Sequence, residues 1–386
     1  MVSLMDERFL LMIPGPTFSE QSVLLSLARV TRSHVSVEFE DILRESLEML
    51  KKILNTDGEV IIMPGSGTLA MEFSIANFVE PGSRVLNLVS GYFGEYFIQA
   101  TRARGGVSVE IKSQLGRGFR GDGIRELVEK EKTEVLTVQH VETSTGVVNY
   151  IKEIGEELKD SDTVYIVDAV ASLGGMEINM REWGIDVVFT GSQKALAVPP
   201  GLAIVGLSKR AVELIEGKKK DLFFFDGRKW LAMMRSVRNY FSTMPVNMIY
   251  ALNESLKKIL SEGLENRYLR HKVIAEAIRG GLEAMGLNIV AEREFRSDTV
   301  TAVWLPDKIK FQDLSNEMTK RNIVIAGGLS ELAGKIFRIG HMGVVNPNDA
   351  ISTIAALERS LHKLNYPVKL GSGVEATQQV LSKYNF

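Results

Sequence analysis

Three stretches of this chain combine residue types that could do chemistry together. The first is Pro64-Gly65-Ser66-Gly67-Thr68, which follows an apolar run and opens a helical pattern. Small residues let a backbone approach a ligand, and the free N–H groups of a first helical turn attract an anion. Ser66 and Thr68 add hydroxyl donors, although a plain strand-to-helix turn with a serine cap has the same sequence. No lysine of the nucleoside-triphosphate loop type follows, which excludes that class of phosphate site. The second stretch ends in Asp168, after Thr163-Val-Tyr-Ile-Val167. An acid closing a buried strand is costly unless it caps a turn or meets a positive partner. At a sheet edge it could hold a protonated ring nitrogen or a metal. The third is Lys194, in Thr190-Gly-Ser-Gln-Lys194-Ala-Leu-Ala-Val-Pro-Pro200. Most lysines are solvated surface charges, but this one enters a charge-free stretch that reaches Ser208. Desolvation among small and apolar residues lowers an amine's pKa and makes it a usable nucleophile.

The elements around these residues decide whether they can meet. From about residue 40 to 210, short β-rich runs occur at Val60–Met63, Arg84–Val89, Val107–Ile111, Val135–Gln139, Val164–Val167, Val187–Thr190 and Leu202–Val205. Helical patterns separate most of them: Gly67–Phe78, Gly94–Ala103, Ile124–Lys132 and Ile151–Leu158. Strands separated by helices predict a mostly parallel α/β sheet covered on both faces, with ligands at the C-terminal strand ends. After residue 245 the pattern changes. Long helices are expected over Met248–Ile259 and Tyr268–Met285, then strands at Thr299–Leu305, Ile323–Ala326 and Ile336–Ile339, with helices at Phe311–Arg321 and Pro347–Lys363, the last clear one. The expected organisation is an N-terminal segment near the site (1–20), a large α/β domain (21–250) and a smaller α+β domain (251–386).

Gly65–Thr68, Asp168 and Lys194 all fall where strands end, so one crevice could contain an anion cradle, an acid and an amine. Pyridoxal phosphate needs those three: a phosphate grip, a carboxylate to keep N1 protonated, and an amine for a Schiff base. Two other patterns compete. Gly116-Arg-Gly118-Phe-Arg-Gly121 matches the GxGxxG of dinucleotide sites, with Glu142 further on at the end of a strand. However, Val107-Ser-Val-Glu-Ile-Lys112 alternates apolar and polar residues, unlike a buried first strand, and it ends too far before Gly116 for a tight turn. A flexible surface connection is the expected reading. His140 and Glu142, two apart on a strand, face the same way and with Asp168 could form a metal site, but so few ligands make a weak case.

Composition narrows the classes further. The 386 residues are 45% hydrophobic and 24% charged, with a net charge of −2, which argues against a whole-chain nucleic-acid binder. The absence of cysteine excludes disulfides, thiolate nucleophiles, iron–sulfur clusters and thiolate zinc sites. The five histidines, at 34, 140, 271, 341 and 362, show no metalloprotease pairing. Asn239–Asn253, the longest stretch without charge, contains Pro245 and is too short to span a membrane. Asp6, Glu7 and Arg8 interrupt the N-terminal apolar run, so no secretory signal is expected and the cytoplasm is the expected compartment.

Taken together, these stretches resemble class V aminotransferases of the alanine–glyoxylate and serine–pyruvate type, within the fold-type-I pyridoxal-phosphate enzymes. The similarity runs through Pro14-Gly-Pro-Thr17, Gly65–Thr68, Ser90-Gly-Tyr-Phe-Gly94, His140-Val-Glu-Thr-Ser-Thr-Gly146, Val167-Asp-Ala-Val-Ala-Ser-Leu-Gly-Gly175, Gly191-Ser-Gln-Lys194 and Arg338-Ile-Gly-His-Met-Gly343. The resemblance implies that Lys194 forms the Schiff base and moves the substrate's α-proton, while Asp168 pairs with the pyridinium nitrogen. It implies that Ser66, Gly67, Thr68 and Gln193 grip the phosphate, that Thr143 bonds the phenolic oxygen and that Val170 packs against the ring. Phe93 stands where the family stacks an aromatic, often Trp, with Tyr92 a competing assignment. Tyr240 and Thr243 would come from the neighbouring subunit of a homodimer with shared sites. Arg338 would anchor the substrate carboxylate, and Gly15 would lie along a small substrate. The activity implied is amino transfer from alanine or serine to glyoxylate or pyruvate. A lyase of the same fold and a nucleotide-binding oxidoreductase are the alternatives.

Overall fold

Seven runs rich in Val, Ile and Leu become the strands of one sheet in the computed structural model, which describes residues 9–217 and 222–384. They are β1 (Glu59–Gly65), β2 (Arg84–Val89), β3 (Val107–Lys112), β4 (Val135–Gln139), β5 (Val164–Asp168), β6 (Val187–Gly191) and β7 (Gly201–Leu207). They lie in the order β1-β7-β6-β5-β4-β2-β3, and only β7 runs antiparallel to its neighbours. Every residue of β4, β5 and β6 is buried. Successive side chains on a strand point to opposite faces, so full burial means that helices cover both faces. The alternating β3 is one of the two edge strands, and none of its residues is fully buried. The mostly parallel α/β architecture read from the sequence is therefore present.

A second apolar cluster lies apart from the first. It gathers Met12 with Ile274, Ile278, Phe337, Ile339, Ile354 and Leu357. Its sheet is antiparallel, with Ile336–Gly340 between Val300–Trp304 and Ala326–Gly327, so Arg338 sits opposite Ala302 and Ala326. The expected strand Ile323–Ala326 is split in two. Its first part, Ile323–Val324, pairs instead with Leu10–Leu11. Residues 1–8, on which the reading of the N-terminus rests, lie outside the described residues.

The structure has several helices beyond those expected. Val37–Leu54 carries its own signals: Ser36 caps it by accepting from the Phe39 N–H at 3.3 Å, and Lys51 and Lys52 face its C-terminal dipole. Lys209–Gly217, Gly227–Arg235 and Ser372–Leu381 are also helical, so Pro347–Lys363 is not the last helix. The Gly116–Gly121 connection is irregular and lies at the surface, with Arg117 exposed, but its backbone is closely packed. A β-carbon at Gly116 would come within 2.4 Å of the Val290 carbonyl, and one at Gly118 within 2.3 Å of the Val148 carbonyl. These glycines serve close backbone packing. Among the described residues no helix is long and apolar enough to cross a membrane.

The helix Leu264–Ala284 ties the two cores together through a buried arginine. Arg267, 3% exposed, donates from Nε to the Gly174 carbonyl (2.6 Å), from Nη2 to the Ala195 carbonyl (2.7 Å) and from Nη1 to Glu262 (2.7 Å). Removing one partner of a buried ionic network leaves its acceptors unpaired. Arg267→Ala is expected to lower unfolding stability by about 3 kcal/mol, as measured by urea denaturation. A change within about 0.5 kcal/mol, as at an ordinary surface site, would contradict this role.

Candidate active site

The sheet interior is mostly apolar, and its few polar groups, such as Asn87 and Thr137 (2.8 Å apart), bond to one another, so the chemistry must come from the strand ends. The turns that follow β1, β2, β4, β5 and β6 supply it here, and they close around one cavity. Ser66, Gly67, Thr68, Phe93, Thr143, Asp168, Val170, Gln193 and Lys194 all line it. Nine residues read from the sequence are thus brought to one place. Phe93 faces this cavity, whereas Tyr92 faces a neighbouring groove. There the hydroxyls of Tyr92 and Tyr96 lie 3.0 Å apart.

Asp168 is the last residue of β5, and its Oδ1 accepts from the Val170 N–H at 2.8 Å. Burial pushes its pKa up to about 7; the Val170 hydrogen bond opposes the shift, the Glu142 charge adds to it, and Lys194 opposes it. Lys194 is moved the other way. Burial lowers it to about 8, aided by the Arg338 charge and opposed by Asp168. An amine with a pKa of about 8 has a neutral fraction near pH 7 of roughly a tenth, far larger than that of a solvated lysine.

The loop carrying Lys194 is fixed from the N-terminal segment. Thr17 donates its N–H to the Gln193 carbonyl (3.0 Å) and its hydroxyl to the Lys194 carbonyl (2.7 Å). Lys194 Nζ in turn donates to the Pro14 carbonyl at 2.6 Å. Gly15 lies against this side chain with φ +132°, and a β-carbon there would come within 2.6 Å of Nζ. The Pro14 carbonyl is a partner of Lys194 that a reading of side chains could not find. Tyr96 also lines the cavity, one helical turn from Phe93, and its spacing could have revealed it.

Arg338 reaches the same region from the small sheet. It is 7% exposed, with Nε on the Gly327 carbonyl (2.7 Å) and Nη1 on the Thr143 carbonyl (3.1 Å). Among the described residues nothing is bonded to Nη2. Tyr240 and Thr243 are not brought to the cavity of this chain. Both are exposed, their hydroxyls lie 3.1 Å apart, and the Tyr240 ring rests 5.1 Å from that of His34. His140 and Glu142 do not converge with Asp168 as ligands. Glu142 spends both oxygens on the N–H groups of Phe93, Gly94 and Ser144 and on the Ser144 hydroxyl, and burial pushes the His140 pKa down to about 3.

Residues 21–342 match the family described as Aminotransferase class-V. The chain is 41% identical to an uncharacterised aminotransferase of Methanocaldococcus jannaschii, covering 97% of this chain and 98% of the relative. It is 36% identical to the L-aspartate–glyoxylate aminotransferase of Paracoccus denitrificans, covering 95% and 94%. Its structure superposes on the crystal structure of an alanine–glyoxylate aminotransferase from Nostoc sp. with a TM-score of 0.88 at 34% identity, covering 92% and 95%. The chain belongs to the class V aminotransferases and has their fold. The nucleotide-binding oxidoreductase alternative is thereby set aside.

Class V aminotransferases work with pyridoxal 5′-phosphate, and the residues present fit that cofactor. The helix Gly67–Phe78 opens into the cavity with no side-chain cap on Ser66 and no acid in its first turn, so its N–H groups are free for an anion. Gln193 lines the same cavity with a side-chain amide whose NH2 end is a donor suited to an anion. The carboxyl of Asp168 and the amine of Lys194 complete the set.

The raised pKa of Asp168 has a consequence for stability. A carboxyl whose folded pKa lies above its unfolded value destabilises the fold as pH rises from the unfolded pKa through the folded one. Cofactor-free Asp168→Asn is therefore expected to be more stable than cofactor-free wild type at pH 8, by on the order of 4 kcal/mol. The gain should vanish below pH 4. Urea unfolding at both pH values checks this; a gain independent of pH would count against a buried, shifted Asp168.

Proposed function

We propose that the protein transfers an amino group from a small amino acid, alanine or serine, to a small 2-oxo acid, glyoxylate or pyruvate. The observation that carries this reading is the meeting of an uncapped helix start, Asp168 and Lys194 in one cavity, with Arg338 alongside. Bound there, pyridoxal phosphate supplies an aldehyde for an amine and an electron-withdrawing ring. Lys194 is the amine that holds it and then carries the proton at the substrate Cα, a task suited to a group titrating near neutral pH. Asp168 holds the proton on the ring nitrogen. Ser66, Gly67, Thr68 and Gln193 grip the phosphate, Thr143 meets the phenolic oxygen, and Phe93 and Val170 pack on the two ring faces. Arg338 anchors the substrate carboxylate with its Nη2 edge, a planar fork suited to two parallel hydrogen bonds.

The choice of small substrates rests on bulk and charge. Gly15 lies against Lys194, and Gly327 touches Arg338. Among the described residues that line the cavity, Lys194 is the sole cation, which leaves no second anchor there for an acidic side chain. The Paracoccus relative and the Nostoc structure are both named for glyoxylate and differ in the amino acid. In this reading the enzyme is a cytoplasmic homodimer, with Tyr240 and Thr243 reaching the neighbour's phosphate, and its large and small domains divide near residue 250. The exposure of both residues in a single chain is what such a contribution requires.

Two measurements test the assignment. Borohydride reduction of the holoenzyme followed by peptide mapping should label Lys194, and a label elsewhere would refute it. Arg338→Ala should lose on the order of 2 kcal/mol of transition-state stabilisation, roughly thirtyfold in kcat/KM. The loss should appear for alanine and serine alike, and an unchanged kcat/KM would remove Arg338 from the carboxylate site.

A further inference from the structure

The helix Tyr92–Ala103, which carries Phe93, begins without a cap of its own, because the preceding residue is Gly91. Its orphaned N–H groups are taken by two side chains from another element, the hairpin that pairs Val141–Glu142 with Val147–Val148. Glu142 is wholly buried, and its Oε2 accepts from the N–H of Phe93 (3.0 Å) and of Gly94 (3.2 Å). Its Oε1 accepts from the N–H (2.9 Å) and the hydroxyl (2.7 Å) of Ser144. The Ser144 oxygen then accepts from the N–H of Tyr92 at 3.1 Å. Glycine at position 91 is required by this approach, since a β-carbon there would lie 2.5 Å from both Glu142 Cγ and Ser144 Oγ.

Between the two capping residues sits Thr143. Its side chain lines the cavity, and its carbonyl holds Arg338 Nη1 at 3.1 Å. One tripeptide therefore grips the aromatic residue from one side and the arginine from the other. The relative placement of these two groups matters chemically. A ring packed on Phe93 takes its plane from that helix, while a carboxylate held by Arg338 fixes the rotation about the substrate's Cα. The bond that breaks most easily is the one standing across the ring plane, so an error in either placement selects the wrong bond.

We infer that Glu142 and Ser144 are positioning residues which lock the plane of Phe93 to the guanidinium of Arg338, and so set which Cα bond is broken. This rests on the function proposed above. A mere helix cap would contribute stability and nothing else.

The test uses the holoenzyme. Glu142→Gln keeps one carbonyl acceptor but turns an NH2 group toward N–H or O–H donors, loosening the grip without emptying the space. It is expected to retain bound cofactor, to lose about tenfold in kcat/KM with alanine, in keeping with a lost charged hydrogen bond, and to lose much of the visible circular dichroism of the cofactor band. It should also release carbon dioxide or racemise alanine in a larger share of turnovers. Ser144→Ala, which disturbs less, should shift all these readouts in the same direction by a smaller factor. The inference is overturned if Glu142→Gln lowers only the Tm while dichroism, kcat/KM and product distribution match wild type. If that variant does not fold, wild-type values for Ser144→Ala overturn it equally. A wild-type protein with no cofactor band would instead remove the proposed function, and this inference with it.

Discussion

The burial of two oppositely ionising groups at the ends of apolar strands is the constraint to which the rest of the structure answers. Asp168 and Lys194 each lose solvation in the cavity, and each shifts toward its neutral form. A soft or solvated scaffold would relieve that cost by letting the groups turn outward. The sheet denies them this escape, because the residues beneath them on β5 and β6 are buried on both faces. The surrounding donors and acceptors then have to be placed with equal firmness, since an unpaired polar group in such a place is costly.

Backbone carbonyls do much of that placing. Arg267 holds the carbonyls of Gly174 and Ala195, Arg270 those of Val345 and Gly343, and Arg338 those of Gly327 and Thr143. Each guanidinium reaches across chain segments far apart in sequence, and its rigid fork converts a charge into a geometric brace. The braces run between the loop of Lys194, the turn after Asp168 and the small sheet. The site is therefore shared between two cores rather than lodged in one.

Much of this was legible in the residues. Asp168, Lys194 and Ser66–Thr68 could be found because a charge or a small-residue cluster after an uninterrupted apolar run is anomalous, and parallel sheets give such anomalies one destination. Arg338 carried no comparable signal and was placed only through resemblance, since its strand belongs to a different sheet. Glu142 drew attention as a possible metal ligand because two-residue spacing shows which way a side chain faces but not what lies opposite. The Pro14 carbonyl was invisible, since every residue carries a backbone carbonyl and tertiary folding alone selects which one is used. The helices Lys209–Gly217, Gly227–Arg235 and Ser372–Leu381 are short, and packing rather than propensity sustains segments of that length. The strand at Ile323–Ala326 split because its two halves serve different partners, Leu10–Leu11 and the Arg338 strand.

The pairing of Leu10–Leu11 with Ile323–Val324 has a consequence for biosynthesis. A ribosome delivers the first residues early, yet their partner strand emerges only when most of the polypeptide has been made. Until then Met12 cannot donate to the Val324 carbonyl, nor can Gly340 donate to the Met12 carbonyl, and the stretch through Thr17 has only the Lys194 loop to rest on. Contacts of such large sequence separation form late, because chain closure must precede any reward. The large sheet can thus be complete while the segment that leads to Pro14 still waits for Ile323–Val324 to anchor its other end.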